Sequence, residues 1–467
     1  MSEPGQPPDR VLILGLGKVT GAAVAEALRE SGAQVRAHES FPTPAREALA
    51  GELRSKGVEV SFGEADPAAV DDLLGWAEVV VPSPGVPPSN PVLKAALERG
   101  TRVISEVELG YAGGRATVLA VTGTNGKTTT TSLLTEMLQE SGRPAQAVGN
   151  IGEPFVTAAR ASADEDFLVA EVSSFQLAFI ERFRPAVAVV LNVAADHYDW
   201  HNGYEEYLAA KARITENQTS SDRLVIRVDD PGCLAIAAGS KAEVAGFGLD
   251  APEEVWARLK LALGRAPALV AGVSGDRVEA FDGIRSTALT NLSDIRMEGL
   301  HNLENVMAAA LAAGKVGVQP QAIASVAARF GNLPHRMELV ATVDGVRYVD
   351  DSKATNPHAT LLAMRGTRNV VLVAGGRAKG LDLSPLAEVA GRLSGLVVMG
   401  EAAMELKKVF AGMDPAEAAD VEEAVRLAAG IARPGDTVLL SPACSSLDQY
   451  SDYAERGSRF RRAVLTL

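Results

Sequence analysis

Short apolar runs recur along the chain and alternate with stretches in which apolar residues return every three or four positions. The first pattern is that of strands buried on both faces, and the second that of helices lying across them. Together they predict parallel sheets covered by helices. Three such units follow one another. The first passes through RVLILGLG (10–17), a helix from about Thr20, AQVRAHES (33–40), AEVVVPSPGV (77–86) and TRVIS (101–105). The second begins near residue 107 and holds LAVTGTNGKTTTTSLL (119–134), DFLVAEVSSFQL (166–177) and AVAVVLNVAADH (186–197). The third starts near NLPHRME (332–338) and repeats the alternation in NVVLVAGG (369–376), GLVVMG (395–400) and DTVLLSPA (436–443). A chain of 467 residues accommodates three domains, each able to bury a core. No internal repeat or low-complexity tract interrupts the pattern.

Charge and cysteine content narrow the function classes. A net charge of −14 argues against a nucleic-acid or anionic-membrane partner, which would need clustered Lys and Arg. An anionic substrate must therefore be met by local positive charge. The two cysteines, Cys233 and Cys444, lie far apart without a CxxC, so neither a zinc site nor a disulfide framework is indicated. The start, MSEPGQPPDR, is polar and proline-rich, and no apolar run reaches the roughly 18 residues of a membrane span. A soluble, cytoplasmic protein is expected.

The stretch at 119–134 carries the clearest chemistry. A buried strand ends at Gly123-Thr124-Asn125-Gly126-Lys127-Thr128, and a threonine-rich helix begins there with Thr129. Glycines let backbone N–H groups converge on an anion, the helix N-terminus faces the same point, and Lys127 adds a full charge. That is a phosphate cradle, with the Thr128 hydroxyl placed for a Mg2+ held by the phosphates. The usual P-loop spacing is not met, because Val121 stands where the first glycine belongs. A plain glycine turn before a helix is the alternative for the motif in isolation. The glycine turn of the first unit, Gly15-x-Gly17-x-x-x-Gly21, is one residue too long for the dinucleotide fingerprint and favours another nucleotide over NAD. The expected fold class is α/β in three domains. These are a Rossmann-like N-terminal sheet (1–106), a central P-loop ATPase-type sheet (107–332) and a Rossmann-like C-terminal sheet (333–467).

Open parallel sheets place ligands at the carboxyl ends of their strands, which brings Glu171 and His197 beside the loop. In YEEYLAAKARITE (204–216), helical spacing puts Tyr207, Leu208, Lys211 and Ile214 on one face. A lysine on that apolar stripe either snorkels its ammonium outward, the commoner outcome, or is buried with a lowered pKa and a reactive neutral amine. His197 alone also reads as a capping histidine, and Asp351, Lys353 and Asn356 as a turn and helix cap. His301 and His335 read as structural and Cys444 as a packing residue.

Nine blocks together resemble the Mur ligases: TGTNGKTT, GNIG (149–152), EVSSFQL (171–177), NVAADH (192–197), AAKARI (209–214), GLHNLEN (299–305), LPHRME (333–338), DDSKATNP (350–357) and SPACSSLDQY (441–450). Within that family the match is nearest the branch that adds D-glutamate to a UDP-linked muramoyl-alanine, and it covers all three units in order. The resemblance implies an ATP-dependent acid–amino-acid ligase working through an acyl phosphate in peptidoglycan precursor synthesis. Other Mur ligases and folylpolyglutamate synthetases are the alternatives; the DNPR motif expected of diamino-acid-adding relatives is not found. A non-enzymatic nucleotide-binding regulator would not need Glu171, His197 and Lys211 around the loop.

By the same resemblance, Lys127, Lys211, His197 and Glu171 are catalytic. ATP is held by Gly123, Thr124, Asn125, Gly126, Lys127, Thr128 and Thr129, with Asn302, Asn305, Arg336 and Asp351 on the far side of the cleft. Two Mg2+ are expected, one on Thr128 and Glu171 and one near His197 and a carbamylated Lys211, since a carbamate offers the oxygen that a hard cation prefers. Ser83, Pro84 and Gly85 would touch the UDP-linked substrate, with Asn150, Ser173 and Gln176 toward its sugar and peptide end. Lys379, Thr355, Ser446, Leu447 and Tyr453 would meet D-glutamate, with Tyr453 standing where the family pattern has phenylalanine. The partners implied are small molecules, with no nucleic acid and no membrane, and a monomer is expected.

Overall fold

The computed structural model describes residues 8–17, 20–198 and 200–467. Most of the polar start, and Lys18 and Val19 within the first glycine turn, lie outside them. The apolar runs form the strands of three sheets, as the patterning predicts. In the first, five parallel strands lie in the order Glu59–Phe62, Gln34–Glu39, Arg10–Leu14, Val79–Pro82 and Arg102–Val103. The central sheet has nine strands, with Thr117–Thr122 flanked by Phe167–Glu171 and Val187–Val190. Its far edge is antiparallel, made by Leu269–Ser274, Arg277–Phe281 and Ser286–Asn291. Six strands form the third sheet, and only Glu338–Val343 runs against its neighbour, Val346–Asp350.

The continuous apolar runs are explained by two-sided burial: Leu119, Ala120, Val121, Val187, Ala188 and Val189 are all fully buried between helical layers. Helix starts follow their caps. Asp66, Asn90 and Asp230 each accept backbone N–H groups of the next turn, and each precedes a proline at the first helical position.

Two of the expected strands are shorter than the apolar runs suggest. The strand expected over 166–177 ends at Glu171, and Ser173 opens a short helix, Ser174–Leu177. Ser173 and Gln176 form a capping box there, which offers the backbone an alternative to the sheet ladder. The run at 186–197 likewise contributes only Val187–Val190, and a loop carries the chain from Asn192 to His197.

The units touch across their junctions. Trp200 Nε1 donates to the Val86 carbonyl at 2.9 Å, linking the central unit to the first. From the third unit, Arg347 pairs with Glu298 at 2.6 Å and Arg365 with Glu304 at 3.5 Å.

Candidate active site

The phosphate loop sits between the end of Thr117–Thr122 and the helix Lys127–Glu140, and its shape depends on glycine. Gly126 has φ +86°, and a Cβ there would come within 2.5 Å of Asn305 Oδ1. That oxygen also accepts the Thr130 hydroxyl, so the Asn305 side chain lies directly against the cradle. Asn192 braces the loop from the neighbouring strand end, accepting the Asn125 N–H at 2.8 Å and donating to the Asn125 carbonyl at 3.1 Å. The Thr124 hydroxyl lies 3.1 Å from the Tyr207 hydroxyl and takes the Ala194 N–H at 2.9 Å.

Two lysines converge below the loop. Lys127 donates to the Gly123 and Thr124 carbonyls, both at 2.9 Å, and Lys211 donates to the same Gly123 carbonyl at 2.9 Å. Lys211 is 1% exposed, with its ammonium 4.6 Å from the centre of the Tyr207 ring. The snorkelling alternative is thereby corrected: the helix Tyr204–Ala212 packs Tyr207 and Lys211 inward. Burial, reinforced by the Lys127 charge, holds the Lys211 pKa well below that of an ordinary lysine. Lys127 is lowered as well, by burial, against the pull of Glu171 and Asp196.

The acidic groups face this pair. Glu171 accepts from Asn150 Nδ2 at 2.9 Å through one carboxylate oxygen, while the other is buried and has no hydrogen-bond partner among the described residues. A buried carboxylate oxygen left without a donor fits a cation ligand. His197, at φ +55°, takes its backbone N–H to Asp196 Oδ1 and packs its ring edge-on to Phe175. One cleft is lined by Lys127, Thr128, Glu171, Asp196, His197 and Lys211 from the central unit, and by Arg336, Lys353, Thr355 and Asn356 from the third. The donor set present, carboxylate, hydroxyl and imidazole beside a phosphate cradle, suits Mg2+ and a nucleoside triphosphate.

A second pocket continues from the loop and is lined by Asn302, Asn305, Arg336, Asp351, His301 and Phe247. Asn305 Nδ2 donates to Asn302 Oδ1, and Asn302 Nδ2 to the Glu298 carbonyl, so the two amides form a fixed pair. Arg336 reaches back to donate to the Thr128 hydroxyl at 2.6 Å. Asp351 is held by the Ser441 hydroxyl and the Met337 N–H, and burial pushes its pKa up to about 7. Burial lowers His301 to about 4, in keeping with a structural, neutral imidazole.

In the first unit, Gly21 lies close enough to the Gly15 carbonyl that a Cβ would approach to 2.5 Å, and Ser83 donates its hydroxyl to that carbonyl at 2.7 Å. The third glycine of the turn thus packs helix on strand despite the longer spacing. Ser83 and Pro84 line a small cleft with Gln176 and Trp200, whereas Gly85 is exposed. Gln176 and Ser173 are occupied with each other in the capping box, and Asn150 is exposed beside Glu171. Of the third-unit residues, Thr355 lines the main cleft. Tyr453 offers its ring to the Lys353 ammonium at 3.6 Å, Lys379 holds φ +56°, Ser446 is buried and Leu447 is exposed.

Sequence reasoning gives no role to several residues the fold brings here. Asn192 and Asp196 lie on the same strand-end loop as His197, and that shared position was the available signal. Lys353, lowered to about 8 by burial, stands in the main cleft. Glu39 anchors the first glycine turn by accepting the Leu16 N–H at 2.9 Å, and Glu106 is buried at the junction of the first two units, accepting the Val156 N–H. Burial raises Glu106 to about 7.

These features describe a three-unit α/β protein in which a glycine-rich strand–loop–helix turn and a buried carboxylate share one cleft with residues of the third unit. Family models described as Mur ligase MurD-like N-terminal domain, Mur ligase middle domain, and Mur ligase glutamate ligase domain match residues 9–105, 121–313 and 335–444. The chain belongs to the Mur ligase family. It is 40% identical over 467 residues to the UDP-N-acetylmuramoylalanine–D-glutamate ligase of Geobacter metallireducens, covering 98% of this chain and 97% of that one. Against the ligase of the same name from Caldanaerobacter subterraneus subsp. tengcongensis it is 36% identical over 465 residues, with 98% of each chain covered. The fold is shared with the MurF ligase from Thermotoga maritima in complex with ADP, at a TM-score of 0.56 and 17% identity over 93% of this chain and 95% of that one.

Proposed function

We propose that the protein joins D-glutamate to UDP-N-acetylmuramoyl-L-alanine with ATP, as a ligase of peptidoglycan precursor synthesis. The observation that carries the chemistry is the convergence of Lys127, Glu171, His197 and Lys211 on one cleft beside the phosphate cradle. Similarity over nearly the whole chain to ligases of that name carries the choice of substrates.

The substrate carboxylate attacks the γ-phosphorus of ATP; the bond to ADP breaks and an acyl phosphate forms. The D-glutamate amine then attacks the acyl carbon, the C–N bond forms, the C–O bond to phosphate breaks, and the amine loses a proton. Such phosphoryl transfer needs positioning and charge neutralisation more than covalent help. Lys127 and the loop N–H groups neutralise and orient the phosphates. Arg336 and Asp351 bring third-unit groups to the nucleotide side of the cleft, and Asn302 and Asn305 form its fixed polar wall. Thr128 and Glu171 would hold one Mg2+; His197 and a carbamylated Lys211 would hold a second. Mg2+ supplies charge stabilisation on the transferring phosphoryl group. The partnerless Glu171 oxygen supports the first site, and the burial of Lys211, which favours the neutral amine that adds CO2, supports the second.

First-unit contacts to the uridine diphosphate through the glycine turn, Ser83, Pro84 and Gly85 belong to the same reading. So do peptide-side contacts from Asn150, Ser173 and Gln176, and D-glutamate contacts from Thr355, Lys379, Ser446, Leu447 and Tyr453. A division into domains at 1–106, 107–332 and 333–467 belongs to the same reading, with the UDP-linked substrate meeting the first and central units, ATP the central and third, and D-glutamate the third, and a monomer suffices for the site. The test is phosphate release from ATP with the UDP-linked alanyl substrate and each candidate amino acid in turn. Release with D-glutamate alone is expected; release with a diamino acid or with L-glutamate in its place overturns the assignment.

A further inference from the structure

His358 belongs to none of the sequence blocks given a role above, yet its ring meets the phosphate loop. It follows Asn356, which caps the helix Pro357–Ala363 by accepting the Ala359 N–H at 2.8 Å. That bond fixes which end of the Asn356 amide is oxygen. The nitrogen end accordingly donates to Asp196 Oδ2 at 2.9 Å and to Asn125 Oδ1 at 3.3 Å. Asn125, two residues before Lys127, must then present its own amide nitrogen to Asn356 Oδ1, at 3.2 Å. The same nitrogen lies 2.9 Å from His358 Nδ1. Because the amide nitrogen can only donate, Nδ1 must accept, and the imidazole proton must sit on Nε2. The whole side chain of a phosphate-loop residue is therefore read by a helix cap more than 200 positions away, in another unit.

We propose that His358 is a positioning residue that, together with Asn356, fixes Asn125 and hence the phosphate loop when the third unit lies against it. Nucleotide binding and phosphoryl transfer then depend on engagement of the unit proposed to hold D-glutamate. The role requires a neutral ring. Burial lowers the His358 pKa to about 4; Asp230 and Asp196 favour its protonation, and Arg227 and Arg365 oppose it. A proton on Nδ1 would set two donors against each other and part the contact.

The inference rests on the loop being the nucleotide site. Its test compares His358→Ala, His358→Asn and His358→Gln with the unchanged protein in the ATP-dependent ligation. Asparagine places an acceptor oxygen near the position of Nδ1, whereas glutamine places its own near Nε2. His358→Ala is expected to lower kcat/KM for ATP about tenfold, as for the loss of one part-buried hydrogen bond, with KM for the UDP-linked substrate within about twofold. His358→Asn should recover most of the loss, and His358→Gln should not. The thermal shift produced by a non-hydrolysable ATP analogue should follow the same order without any turnover. If His358→Ala folds poorly, the Asn and Gln variants decide between themselves. Equal behaviour of those two, or a His358→Ala variant indistinguishable from the unchanged protein, overturns the inference. An unchanged protein that binds the analogue but ligates no D-glutamate overturns the proposed function instead, leaving the thermal-shift order to decide this one.

Discussion

Lys127 and Lys211 donate to the same oxygen, the Gly123 carbonyl, each at 2.9 Å. Two ammonium groups on one acceptor are mutually repulsive, and Lys211 has the deeper burial. The neutral form of its amine is favoured first by desolvation and then by the neighbouring charge. This is the physical ground for treating the two lysines differently.

Lys211→Ala should lose most ligase activity while still binding nucleotide, and acetate or another short carboxylate should restore part of it by standing in for a carbamate. Lys211→Arg should stay inactive, because a guanidinium remains cationic and offers no oxygen. Full activity in the arginine variant, measured as phosphate release, would dismiss the carbamate.

Lys127 is expected to act on the transferring phosphoryl group. Lys127→Ala should reduce turnover by several orders of magnitude with the fold intact by circular dichroism. A near-normal rate in that variant is incompatible with the phosphate-cradle reading.

Glu171 has one carboxylate oxygen held by Asn150 and one without a partner among the described residues. Glu171→Gln keeps the size and removes the charge, so the Mg2+ concentration for half-maximal rate should rise about tenfold or more. An unchanged Mg2+ titration would remove Glu171 from the ligand set.

Asp351 carries a pH prediction. Its folded pKa, raised to about 7, exceeds that of an unfolded carboxyl. Its contribution to stability is thus fully present below about pH 4 and is lost as the pH rises through about 7. Asp351→Asn removes this dependence while still able to accept the Met337 N–H and donate to the Ser441 hydroxyl. Relative to the unchanged protein, the variant should gain stability between pH 5 and pH 8, on the order of 2 to 4 kcal/mol. Parallel Tm profiles for the two proteins across that range would place the Asp351 titration elsewhere.

The sequence by itself determined the local chemistry. Two-sided burial demands apolar runs such as Val118–Val121, and a cradle of this shape demands glycine at 126, so strands, loop and unit order were legible from residue types and spacing. The extent of the strands was less so: after Glu171 the Ser173–Gln176 capping box competes with the ladder, and after Val190 the Val193 and Ala194 N–H groups go to Asp230 and Thr124 instead of to a strand. What only the tertiary structure decided are relationships between distant residues. Lys211 is separated from Gly123 by 88 positions and Arg336 from Thr128 by 208. A helical period could place Lys211 on an apolar face, but whether that face is sealed depends on which strands and rings pack against it. The tautomer of His358 likewise follows from a helix cap and a loop amide meeting across two units. Hydrophobic patterning specifies which face turns inward; it carries no information about which polar group waits there.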